Sequence, residues 1–264
     1  MPSKLNKQNP STISSIFMKS SGVLLFLSLA LLLFACRKND PRGDLEHIAY
    51  APTPYSLEVP AGFYPVEVPP DNPMTQEGID LGRRLFYDPI LSVDSTLSCS
   101  TCHLPEMSFT DGLAVSVGVG GAIGKRSSPS LMNVAILRNG FFWDGRVHSL
   151  EEQALLPIED EQEMKADWAD IEKRLQRHST YPILFRKAFG ISARADLDRN
   201  LVVKAIAQFE RTLLSKGSTK FDRVQMGLDT FSYDEAIGYD LFFDVSPTVK
   251  DAECGNCHNV PIFT

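Results

Sequence analysis

The sequence predicts a mainly α fold made of two tandem units of one kind, the second incomplete. Three observations predict it. Beyond about residue 73 the apolar residues recur at helical spacing, alternating strand-like runs are scarce, and a helix followed by a short motif occurs twice. "GRRLFYD" (82–88) and "GYDLFFD" (238–244) share G-x-x-L-F-[YF]-D, and Gly82 precedes Cys99 by 17 residues where Gly238 precedes Cys254 by 16. From Ser232 to Thr264 only 33 residues remain. That is below the ~40 that usually fold unaided, so the second unit is expected to be cut short.

Taken in order, residues 1–17 read as an upstream extension with Met18 as the start. Residues 18–35 form a signal peptide: Lys19 gives a positive beginning, and 13 mostly apolar residues from Val23 to Ala35 follow. A spanning helix would need ~20. Leu33-Phe34-Ala35-Cys36 is similar to the lipobox of bacterial lipoproteins, which makes Cys36 the candidate lipidated residue and places the chain in a periplasm on a lipid anchor. A plain signal peptide that happens to contain a cysteine is the duller alternative. Residues 36–73 are rich in proline and turn formers and read as an extended tether.

The first folded unit is expected over 74–217 and the start of the second over 218–264. Ser149-Leu150-Glu151-Glu152 reads as a capping box, with Pro157 closing the short helix after it. Leu201, Val202, Ala205, Ile206, Phe209 and Leu213 share one face of a long helix expected to end at Gly217. Ser232-Tyr233-Asp234-Glu235 starts another, carrying Ile237, Leu241 and Phe242. A net charge of −7 without basic clusters argues against nucleic acid as a partner.

Four of the five cysteines fall in two C-x-x-C-H motifs: Cys99, Cys102 and His103, then Cys254, Cys257 and His258. On a helical turn, positions i and i+3 face one way and i+4 lies beside them. Two thiols so placed can bond the vinyl groups of one haem while the histidine reaches its iron. A four-cysteine zinc site is the rival, but it leaves both histidines and the repeated helix unexplained. A redox dithiol would call for a single C-x-x-C in a βαβ setting, which is missing. Two covalent c-type haems, in two tandem cytochrome c-like domains, account for the whole pattern. An electron carrier and an enzyme with one open iron both remain compatible with it.

From about Gly78 to Thr264 the chain resembles the bacterial dihaem cytochrome c peroxidase family, which includes the MauG-like proteins. The resemblance rests on "LGRRLFYDPILS", "SCSTCH", "SFTDG", "RSSPSLMNV", "FFWDGRVHSLEEQALLPI", "EM", "AIAQFERTL" and "CGNCH". It implies a first haem, ligated by His103, that reacts with hydrogen peroxide, and a second, ligated by His258, that takes electrons from a small donor protein such as a cytochrome c or cupredoxin. It also implies that Glu163 is the acid–base catalyst, with Gln153 nearby, since cleaving peroxide moves a proton from one oxygen to the other. Without the resemblance, "EDEQEM" would read as solvated acidic surface. Trp143, a core aromatic on composition alone, becomes a relay between the haems. Arg146 becomes an anchor for a haem propionate or a carboxylate.

His47, His148 and His178 read as surface residues, His178 at a helix C-terminus. Many family members carry a histidine that caps the first iron in the loop matching "SVGVGGAIG"; Val119 stands there and cannot ligate. Ser127 stands where an asparagine often helps hold calcium, so one calcium ion is an open expectation. The reading is thus a cytochrome c peroxidase, with a MauG-like oxidase acting on a partner protein, or a dihaem electron carrier, as alternatives.

Overall fold

A computed structural model describes residues 44–245, 247 and 252–260. The signal segment and Cys36 lie outside these. Among the described residues the fold is helical, and β structure is limited to isolated bridges such as Leu104–Thr110 and Phe141–Val147. Within the described residues eight α-helices follow one another: α1 Gln76–Tyr87, α2 Cys99–Cys102, α3 Leu150–Glu159, α4 Trp168–Arg177, α5 Tyr181–Phe189, α6 Arg199–Glu210, α7 Lys220–Gln225 and α8 Tyr233–Phe243.

Helix α1 begins where the Thr75 side chain accepts the Gly78 N–H, and it lies along α6. The two approach so closely that a Cβ on Gly82 would sit 1.8 Å from the Ala205 carbonyl oxygen. Glycine is required there by packing. Leu81 and Leu85 of α1 join Ile171, Leu175, Phe185 and Ile206 in the main core. Phe86, one residue on, points instead into a second core with Phe209, Leu150 and Leu131, and Cys99 and Phe109 pack against that one. The helix therefore divides its apolar face between stability and the surroundings of the first motif.

Three sequence expectations change. Helix α3 runs two residues past Pro157, to Glu159. Proline lacks the N–H that would bond the Gln153 carbonyl, but a proline so near the end costs one bond, and Asp160 N–H still closes on Leu156 O at 3.0 Å. Of the capping box, Ser149 Oγ accepts the Glu152 N–H, whereas the Glu152 carboxylate reaches the His148 N–H. Helix α6 stops at Glu210, well before Gly217. Leu213 is buried outside the helix because the chain there is claimed by Asn133: Asn133 N–H donates to Leu213 O (2.7 Å), and Ser215 N–H to Asn133 Oδ1 (2.8 Å).

The stretch 44–73 runs through turns and irregular backbone, and it is strapped to the helices. Leu45 is buried in the main core, Asp44 pairs with Arg194 at 2.9 Å, and Arg186 Nε donates to Ile48 O. Asn72 ends the strap inside the protein, donating to Glu151 Oε1 at 2.6 Å and accepting from Gln208 Nε2 at 2.8 Å. Its few apolar residues and its polar groups find partners on α3, α5 and α6, which composition alone does not reveal.

Candidate functional site

The one-turn helix α2 places the first motif. Ser98 N–H donates to Thr101 Oγ1 at its start, and His103 N–H closes on Cys99 O at 3.0 Å. The turn that follows is left-handed at two successive non-glycine residues, Ser108 (φ 57°) and Phe109 (φ 60°). Such backbone persists where surrounding structure holds it, and here Ser130 Oγ donates to Ser108 O at 2.5 Å. The result aims the Phe109 carbonyl at His103 Nδ1, 2.8 Å away. A carbonyl only accepts, so Nδ1 carries the proton and the lone pair lies on Nε2, the arrangement of a metal-ligating histidine. Burial holds the His103 pKa below the ordinary imidazole value, which favours the neutral ring.

Cys99, Cys102 and His103 line one cavity of about 380 Å³. Its other walls are the 116–118 and 124–129 loops, Phe142 to Arg146 apart from Gly145, one face of α3, and Ile206 and Glu210 of α6. Gln153, Glu163, Arg146 and Trp143, widely separated in sequence, all line it. His47 and His148 are exposed and do not line it; His178 is half-buried at the end of α4, its Nδ1 accepting the Thr180 N–H, rather than fully on the surface.

Glu163 follows α3 in a turn that Val119 grips: Val119 N–H donates to Glu163 O at 2.9 Å. Gly118 leaves no room for a side chain there, since a Cβ would lie 2.1 Å from Gln162 O. The Glu163 side chain is open to the cavity, yet its pKa is raised, first by loss of solvation among the surrounding protein atoms and then by Asp160; Arg146 opposes the rise. Arg146 bonds Asp144 Oδ1 at 2.9 Å and stacks 3.6 Å from the Phe142 ring centre. The carboxylate it anchors in the protein is therefore Asp144, which it and Arg126 hold below the usual carboxylate range.

Trp143 is 64% exposed, which overturns the composition-based expectation of a core aromatic. Its Nε1–H donates to Ser127 O at 2.9 Å, fixing the ring at the rim of the cavity. That carbonyl is thus already engaged. Among the described residues no cluster of three or more His, Cys, Asp or Glu side chains forms a cation cage.

A haem does fit the first motif: Cys99, Cys102 and a histidine whose proton is held on Nδ1 line one cavity. Burial pushes the Cys99 thiol up to about 12 and raises Cys102 as well, the reverse of what a reactive dithiol needs. In the second motif His258 N–H closes on Cys254 O at 2.8 Å, as in the first, and Gly255 lies against Phe242 and Phe243 of α8. Cys254 is half-buried, Cys257 exposed, and neither lines the cavity of the first, so the four cysteines do not make one zinc site.

Sequence reasoning gave no role to Ser128, whose Oγ lies 3.1 Å from His103 Nδ1, or to Glu210, 4% exposed on the cavity wall. Glu210 had a signal: it stands four residues beyond Ile206, a charged residue continuing an apolar helical stripe.

Helices carrying a C-x-x-C-H turn, a carbonyl-fixed histidine and a carboxylate in the same cavity define a haem-binding protein of the c type. The chain belongs to the di-haem cytochrome c peroxidase family, whose model matches residues 76–230. The family implies two c-type haems. MauG of Methylophilus methylotrophus is 36% identical over 199 residues, covering 75% of this chain and 57% of that protein. Cytochrome c551 peroxidase of Nitrosomonas europaea is 37% identical over 209 residues, covering 78% and 59%. A MauG-like protein associated with microbial copper homeostasis superposes with a TM-score of 0.69 at 35% identity, over 77% of this chain and 58% of that one. The chain spans less than two thirds of the length of each.

Proposed function

We propose that the protein is a dihaem cytochrome c peroxidase that reduces hydrogen peroxide with electrons from a small donor protein. The observation that carries this is the single cavity gathering Cys99, Cys102 and His103 with Glu163, Gln153, Arg146 and Trp143. In this reading Cys99 and Cys102 hold the peroxidatic haem and His103 ligates it, while Cys254, Cys257 and His258 hold a second haem in a tandem domain. When bound, the first haem supplies the iron that takes peroxide and the electrons that reduce it.

Glu163 takes the proton from the near oxygen of peroxide and returns it to the departing one. Its raised pKa makes it a stronger base than an ordinary carboxylate, and Arg146 opposes that rise. Gln153 lines the same wall and orients the peroxide by hydrogen bonding. Trp143, at the rim with its indole pinned by Ser127 O, is the side chain through which electrons enter. By the same reading Cys36 carries a lipid and the protein works in a periplasm.

A second reading, a MauG-like oxidase acting on a partner protein, draws on the relatives named MauG and on exposed Trp143, which such a partner could touch. A plain electron carrier would need a sixth ligand on both irons, and Val119 at the expected position offers none. Glu163→Gln tests the acid–base role: it should retain both haems and slow peroxide turnover ~10²–10⁴-fold. Turnover within twofold of wild type would remove Glu163 from the chemistry. Turnover with reduced cytochrome c or cupredoxin, against oxidation of a protein partner, separates the two enzymatic readings.

A further inference from the structure

Glu210 is the buried carboxyl of the first cavity to which the peroxide chemistry gives no task; Asp144 and Asp160, which also line it, are exposed. It ends α6 and is 4% exposed, and its Oε2 is buried with no hydrogen-bond partner. The adjacent cation does not serve it. Arg211, 3% exposed, gives Nη2 to Glu151 Oε2 at 2.9 Å, and its Nη1 is left without a partner. Glu151 is fixed in turn by Asn72 at 2.6 Å. Arg211 and Glu151 thus neutralise each other, and Glu210 is the surplus acid of a buried triad that opens on the cavity.

The ionisable groups acting on Glu210 are few. Arg211 follows it directly as the cap of α6, Glu151 comes from α3, and the Cys99 thiol from α2 feels its charge. The face α1 turns to α6 is glycine and apolar, through Gly78, Gly82 and Phe86. Asp71 of the strap acts on the far side of the triad, where it pairs with Lys204. Glu163 also lines the cavity, and a bound haem would add its own propionates.

We infer that Glu210 is a redox-linked proton acceptor for the haem held at Cys99 and Cys102. The inference rests on the haem reading above, though not on the identity of the substrate. Oxidised haem iron carries one more positive charge than reduced iron and favours a nearby carboxylate; reduction removes that charge and favours the neutral acid. In the coupled step one electron from the donor protein reaches the first iron by way of the second haem, solvent gives one proton, and the Glu210 carboxylate becomes a carboxylic acid. Reoxidation releases both. Glu210 acts through the charge it places beside the cavity and is a positioning residue. Burial, first, and Glu151 push its carboxyl up to about 8 against the pull of Arg211, which brings the exchange into the working pH range.

The test is the midpoint potential of the first haem against pH, by spectroelectrochemistry on the haem-loaded protein. Wild type should show a potential that falls as pH rises toward 8, with proton uptake on reduction. Glu210→Gln should abolish that slope. A Gln variant with the wild-type slope would overturn the inference and assign the proton to the propionates or Glu163. Glu151→Gln is an independent arm: it frees Arg211 to pair with Glu210, so the sloping window should move to lower pH, and an unmoved window would also overturn the inference. Pyridine haemochrome analysis of the same samples checks the foundation separately, since a chain without haem at Cys99 and Cys102 would overturn the haem reading and this inference with it.

Discussion

The two C-x-x-C-H motifs close with the same backbone bond, from histidine N–H to the first cysteine's carbonyl, yet their surroundings differ. Around Cys99, α1 presses on α6 at Gly82, Leu85 and Phe86 are fully buried, and the loops between 109 and 164 complete a cavity. Around Cys254 the repeat supplies the same helix, but nothing described lies within 4 Å of a Cβ on Gly238, and Leu241 and Phe242 are half-buried. The same short motif thus borders a built cavity in the first case and a single described helix in the second.

The largest effect should separate the motifs outright. Replacing Cys99 and Cys102 by alanine, in a host that attaches c-type haem, should remove one haem of two and all peroxide turnover. The same change at Cys254 and Cys257 should remove the other haem and stop electron delivery, leaving the first haem attached. Pyridine haemochrome counts of two in either variant would break the comparison.

Next comes the resting state. Because Val119 has no lone pair to give, electron paramagnetic resonance of the oxidised protein should show a high-spin haem beside a low-spin one, with activity before any reduction. Two low-spin signals would mean that another side chain caps the first iron.

A smaller effect belongs to the repeated glycine. Gly82→Ala drives a methyl into the Ala205 carbonyl and should cost ~1–3 kcal/mol in chemical denaturation. In this 264-residue chain, where no described atom lies within 4 Å of its Cβ, Gly238→Ala should be neutral or gain up to ~1 kcal/mol from helix propensity. A comparable loss at Gly238 would show that its helix has a close-packed partner too.

The smallest is a shift of a pH profile. Glu163 must be ionised to accept a proton, so turnover falls as pH drops through its raised pKa. Arg146 lowers that pKa, and Arg146→Met should move the acidic limb upward. A limb that stays put would leave Arg146 without influence on Glu163.

Much of this was legible in sequence because spacing encodes it. The motifs, the helical repeat and the Ser232 cap, where Glu235 Oε2 accepts the Ser232 N–H at 2.7 Å, are local patterns. Helix ends were less legible: Pro157 and Gly217 are strong local signals, overridden by a tolerated lost bond and by Asn133 reaching across from another loop. The exposure of Trp143 and the burial of Glu210 were hidden for a common reason. Each depends on what packs beside it, and neighbours at long sequence separation leave no periodic trace.

The strap also decides how the protein bears a load. Tension applied through its N-terminal end meets Leu45, sunk in the main core, and the Asp44–Arg194 pair before it can reach Thr75 and α1. These contacts engage α5 and the turn after it, and the core that holds Leu45 also holds Leu81 and Leu85 of α1, the helix that borders Cys99. A tug on the chain would first be spent on peeling that clamp.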